Sequence, residues 1–288
     1  MNTSDITDGA RSYLEQCRSR VEQAAGGAWQ KTCLDGLQKV TGLTLDRVAG
    51  YEVAFPSVIF GPAFSFPTRR IVEQASRMIG GEDLDQAIAE LAVYYFKNLP
   101  ILPSERDNGI FDVLGTYHRE CGVVGALVEL YWAKIAAHSA QEKFDIEQLA
   151  KVVMLHELAH YVTHQGCNPD GVYWKNFPSG EEVAEVVAQM ATEDVILSLG
   201  DKPLKETFDK LLEGQSRAYT GHREVRECLG KIPGKIRTRL LKDFWTLFRD
   251  VIQKQGETLQ SVDSVLTTIK AKEILETGTV ITGIEMDI

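Results

Sequence analysis

The sequence predicts an α+β fold, mostly helical around a small mixed sheet. Three observations carry that reading. Apolar residues recur at three- and four-residue spacing over most of the length, in runs closed by glycine or proline. Two stretches break that period and are rich in aromatics, valine and glycine, at Tyr51–Pro67 and between Ile110 and Ala136. The composition is globular, 44% hydrophobic and 25% charged over 288 residues, with no repeat and enough chain to bury a sizeable core.

Taken in order, "ARSYLEQCRSRVEQAA" and "KTCLDGLQKVTGL" read as helices broken at Gly26-Gly27. "YEVAFPSVIFGPAFSFP" then suggests short strands or an extended crossing segment. "TRRIVEQASRMIGG" and "LDQAIAELAVYYFKNLP" return to helical spacing. Two β-rich runs follow, Ile110–His118 and Val123–Ala136, around a Glu-Cys-Gly turn. Asp145 is placed to cap a helix from about Ile146 to His164. A loop dense in Gly, Pro, Asn and Asp leads to "EEVAEVVAQMATEDVILSLG", a helix stopped by Gly200. From Lys202 to Gly256 the pattern is helical with breaks at "YTGH" and "IPG", and the tail "GTVITGIEMDI" reads as a strand or arm. Three segments result: residues 1–108, helical with a short extended stretch, as a lid or partner-binding region; 109–200 as the core; and 201–288 as a C-terminal helical subdomain.

Chemistry concentrates in one place. Three of the six histidines fall in "VVMLHELAHYVTH", Val152–His164. On a helix, residues four apart lie above one another, so His156 and His160 project together and can both reach one metal ion. Glu157 enters the same pocket from the side, where a carboxylate can take a proton from water. This is HExxH, two neutral ligands a turn apart with a base beside the first. The flanks are apolar, which buries the ligands as a low-dielectric metal site requires.

With these residues in view, the stretch Leu114–Leu197, roughly a third of the chain, resembles the zincin metallopeptidases. The resemblance implies a zincin-like core holding one Zn2+ per chain, and a peptide or protein substrate lying along an edge strand above the HExxH helix. The metzincin branch does not fit. It needs a glycine and then a third histidine, whereas here His164 precedes Gly166. On a continuing helix, His164 would stand about 12 Å along the axis from His156. It reads instead as a helix-end cation or as a support to a ligand.

The gluzincin branch, to which thermolysin belongs, takes a glutamate from a following helix. In those families a small residue stands at +3 from it and a polar residue, supporting a ligand histidine, at +4. Glu185 has Ala188 and Gln189 there; Glu181 meets the first condition better than the second. Glu185 is therefore taken as the third ligand and Glu181 as the alternative, with Glu182 facing away. "LGTYHREC…VELYWAKIA" is similar to the strand that precedes HExxH in several gluzincin families; His118 within it reads as structural. By the same resemblance Tyr219 and His222, in "SRAYTGHREVR", are candidates to bind the oxyanion, from a loop that Gly221 makes permissive. The implied activity is peptide hydrolysis through metal-activated water, with Glu157 as general base.

The rest narrows the class. A net charge of −10 argues against a nucleic-acid partner, and "KIPGKIRTRLLK" reads as a solvated helix face. No apolar run is long enough for a membrane span, no leader is recognisable, and five cysteines show no CxxC pairing. The expectation is a cytoplasmic protein, restrained by narrow access or a regulatory protein partner. Two rivals share the motif: a zinc-binding regulatory module that cleaves nothing, and a hydrolase of a non-peptide amide. A third treats HExxH as accidental in a helical interaction module, which stoichiometric zinc would exclude.

Overall fold

The computed structural model describes residues 15–45, 56–61, 114–119, 126–167, 180–213, 215–230, 245 and 259–277. These are mostly helical, with one three-stranded mixed sheet. After a helical stretch over residues 15–24 come α1 (Gly27–Thr41), β1 (Ser57–Gly61), β2 (Gly115–His118) and β3 (Leu127–Tyr131). Six helices follow: α2 (Trp132–Glu142), α3 (Ile146–Gln165), α4 (Glu181–Leu199), α5 (Lys202–Leu211), α6 (Arg217–Gly230) and α7 (Val262–Thr277). No helix among the described residues is long and apolar enough to cross a membrane.

The chain divides into two compact units, each discontinuous in sequence. One comprises Met1–Leu34, Ala54–Leu158 and Gly200–Lys210; the other Asp35–Val53, Ala159–Leu199 and Leu211–Ile288. The division falls inside α1, between Leu34 and Asp35, inside α3, between Leu158 and Ala159, and at the last residue of α5, between Lys210 and Leu211.

In the first unit the strand order is β1-β3-β2, with β1 parallel and β2 antiparallel to β3. Side chains alternate across the sheet. Val128 and Leu130 are fully buried on one face, while Thr116 and Tyr131 share the other, their hydroxyls 3.0 Å apart. Helix α3 begins on a cap: Asp145 Oδ1 accepts the backbone N–H groups of Glu147 and Gln148, each at 2.9 Å. Leu149, Met154, Leu155, Leu158 and Val162 are all fully buried. They are spread around the axis, so α3 is a core helix rather than an amphipathic one.

In the second unit α4 buries Val183, Val186, Val187 and Met190 and packs against α6. It ends at Gly200, whose φ of 66° is left-handed, the conformation that closes a helix. Arg217 joins the start of α6 to α7 through Asp263 while also holding Glu224.

Two expectations need correction. The second β-rich run does not reach Ala136: β3 stops at Tyr131 and helix α2 begins at Trp132. Aromatic and valine residues favour strands only as far as Tyr131, after which the alanines of "AKIAA" favour helix. Nor is "YTGH" a break, because α6 runs through it without interruption. A Cβ at Gly221 would stand 2.5 Å from Val262 Cγ2 and 3.2 Å from Val186 Cγ2. That glycine permits close helix packing instead of a loop. The helices expected between residues 68 and 100, "KIPGKIRTRLLK", "IPG", the Gly/Pro-rich loop after Gly166 and the tail lie wholly or largely outside the described residues.

Candidate metal centre

Helix α3 supplies His156 and His160 one turn apart, and α4 supplies Glu185 in its second turn. One ligand atom from each lies within 4.8 Å of the others. His160 Nε2 stands 3.3 Å from Glu185 Oε1. Two ligands on one tetrahedral zinc, each about 2.0–2.1 Å from it, are separated by about 3.3 Å. Imidazole and carboxylate donors are the set that zinc takes in hydrolytic sites. The residues present therefore fit a metal ion. His160 is buried; His156 and Glu185 are partly exposed, which leaves the group reachable.

Of the other acids at the head of α4, Glu181 is exposed and does not join the group. Gln189, one turn beyond Glu185, is buried, and its Oε1 finds no hydrogen-bond partner among the described residues. His164 lies on the last turn of α3, its ring centre 6.2 Å from that of His160, and is not part of the group either.

Glu157 is 7% exposed and belongs to the first unit with β2. Its side chain lies directly against Gly115, where a Cβ would meet Glu157 Cγ at 3.0 Å and Oε1 at 3.1 Å. The general-base candidate is thus pressed against the first residue of a strand that pairs with β3 on one side. Tyr131 in β3 has its hydroxyl pKa raised, chiefly by burial, with smaller contributions that include the charges of Glu129 and Glu157.

His222 and Tyr219 do not stand in a loop. Both are on the first turns of α6. His222 is fully buried, with Nδ1 2.8 Å from the Tyr219 carbonyl and Nε2 3.7 Å from Glu193 Oε2. Glu193 is eight residues beyond Glu185, about 12 Å along the helix axis. The structure does not bring His222 to the metal ligands. Burial, the largest influence, lowers its pKa; the Tyr219 carbonyl and Glu193 oppose that, while Arg226 and Arg223 add to it. Arg226 reaches Glu193 at 2.8 Å, Asp194 at 2.7 Å and the Met190 carbonyl at 3.0 Å, and the Trp245 indole N–H donates to Asp194 at 2.9 Å.

Sequence reasoning missed Gly115 and Arg226. The signal for the first was present, a glycine opening a strand just before the HExxH helix. The second carries no local signal, because its partners lie more than thirty positions away. The open cleft around Trp29 is occupied by its own pairs: Arg20 with Glu147, and the Lys151 ammonium over the Trp29 ring. Cys17, Cys33 and Cys167 are buried, and burial raises the Cys33 pKa well above the usual thiol value. No family model, no curated protein and no solved structure matches this chain.

Proposed function

We propose that the protein is a zinc-dependent hydrolase of peptide bonds, a metallopeptidase of zincin type in the gluzincin branch. The observation that carries this reading is the convergence of His156, His160 and Glu185 with Glu157 adjoining His156 in sequence. His156 and His160 would hold zinc through ring nitrogens and Glu185 through its carboxylate. Zinc, when bound, supplies Lewis acidity toward a carbonyl and lowers the pKa of water. Glu157 accepts a proton from the attacking water and returns it to the departing nitrogen. Among the described residues β2 pairs only with β3, and its other side would take an extended peptide whose backbone would add hydrogen bonds there.

Tyr219 is the better of the two oxyanion candidates. Gly221 against Val186 sets the first turns of α6 beside the Glu185 turn of α4, whereas the His222 ring is held at Glu193. The non-cleaving alternative is disfavoured by Glu157, since a purely structural site needs no base.

The test is Glu157→Gln, compared with wild type for zinc content and for cleavage of a quenched-fluorescence peptide library. Zinc should be retained while turnover falls by about 10²–10⁴-fold. Undiminished cleavage by the variant would remove Glu157 from the mechanism. Zinc-loaded wild type that cleaves nothing would favour the regulatory module.

A further inference from the structure

Glycine in a strand has two common physical reasons: a left-handed φ that other residues avoid, or a close approach that a Cβ would block. The left-handed glycines among the described residues are Gly42 and Gly200, so Gly115 is not kept for its φ. Close approach remains, and the atoms approached are specific. A Cβ at Gly115 would stand 3.0 Å from Val153 Cγ1, 3.0 Å from Glu157 Cγ and 3.1 Å from Glu157 Oε1.

Val153 and Glu157 are four apart on α3 and so share the face beneath β2. They do not yield equally. Val153 is a β-branched side chain only 5% exposed, stiff at χ1 and held by its core neighbours. Glu157 ends in a carboxylate on rotatable bonds, so it is the group that would move. From this we propose that Gly115 is a positioning residue. By lacking a Cβ it lets the Glu157 side chain lie close against the head of β2, and so fixes where the base stands relative to the ligand histidine beside it. The proposal rests on the hydrolase reading for its catalytic consequence, but not for its geometry.

Gly115→Ala should displace the carboxylate by a few tenths of an ångström or turn it to another rotamer. His156, His160 and Glu185 would be untouched. A misplacement of about 1 Å can cost about 100-fold in kcat, so a shift of a few tenths should lower kcat by less than that, with KM little changed. The experiment compares zinc-loaded wild type, Gly115→Ala and Gly115→Ala/Val153→Ala. Three quantities are read: zinc per chain, the crystallographic position of Glu157, and kcat and KM on the peptide library. The expected result is full zinc in all three, Glu157 displaced and kcat lowered in the single variant. Partial return of both is expected in the double variant, where the new methyl group can shift toward the space Val153 leaves. The double variant also serves if the single one does not fold.

Glu157 superposing on its wild-type position in the alanine variant would overturn the proposal. So would loss of zinc from a folded variant, which would place the effect on the ligands. If zinc-loaded wild type cleaves no peptide, the hydrolase reading fails, and the Glu157 positions still decide the role of Gly115.

Discussion

Helix α4 carries two histidine–glutamate pairings eight residues apart, and they have opposite characters. Glu185 meets His160 at 3.3 Å with His156 close by, so two imidazoles and a carboxylate converge on one point. Glu193 meets His222 at 3.7 Å, but Arg226 Nε is 2.8 Å from the same carboxylate oxygen. The guanidinium is a cation built into the chain, and it also takes Asp194. One pairing belongs to a group of two imidazoles and a carboxylate that could hold a metal ion; the other has its acids faced by the Arg226 guanidinium. A histidine beside a glutamate is thus not enough to mark a metal site.

The comparison can be broken first at the tyrosine and histidine of α6. Tyr219→Phe should lower kcat by about 100-fold with zinc retained, the usual cost of one oxyanion donor. His222→Gln should leave turnover near wild type, because its ring faces Glu193. A reversed pattern in kinetics on the same peptide would return the oxyanion role to His222.

The second corner is tested through stability. Arg226→Ala removes the cation shared by Glu193 and Asp194 and leaves two partly buried carboxylates without it. Arg226 is itself about a third exposed, so the cost should fall between the roughly 3–5 kcal/mol of a fully buried pair and the roughly 0–1 kcal/mol of an exposed one, at about 2 kcal/mol in urea unfolding. Zinc content should not change. A variant as stable as wild type would show that the cluster contributes no net stability.

A smaller effect concerns pH. The folded-state pKa of His222 lies below its ordinary value of 6.5, first because of burial, so the fold prefers the neutral ring. The unfolded chain then binds more protons below pH 6.5, and stability present above that pH is lost as pH falls toward the folded-state pKa. Glu193, Arg226, Arg223 and the Tyr219 carbonyl all face the ring and are unaltered in the test. In chelator, wild type should lose stability between pH 7 and 5 more steeply than His222→Gln, by at most about 1.4 kcal/mol per pH unit. Parallel slopes would remove His222 from the pH response.

Much of the site was legible because it is local. His156, Glu157 and His160 are fixed by the helical repeat, and Asp145 announces the start of their helix. Glu185 needed a rule relating one helix to the next. What was not legible depends on contacts distant in sequence. Gly221 looks like a loop residue in sequence and is a packing residue, because Val262, forty-one positions away, presses on it. The strand expected to Ala136 ended at Tyr131, since aromatic and alanine preferences conflict across that junction. The small mixed sheet was expected, but the parallel pairing of β1 with β3 joins residues about seventy positions apart, and local spacing cannot register it.

The most direct measurement is the metal content of purified wild type and His160→Ala, determined by elemental analysis after reconstitution with zinc. The convergence of His156, His160 and Glu185 predicts about one zinc per chain in wild type and its loss in the variant. Wild type that takes up no zinc, or a variant that keeps it in full, would contradict the site.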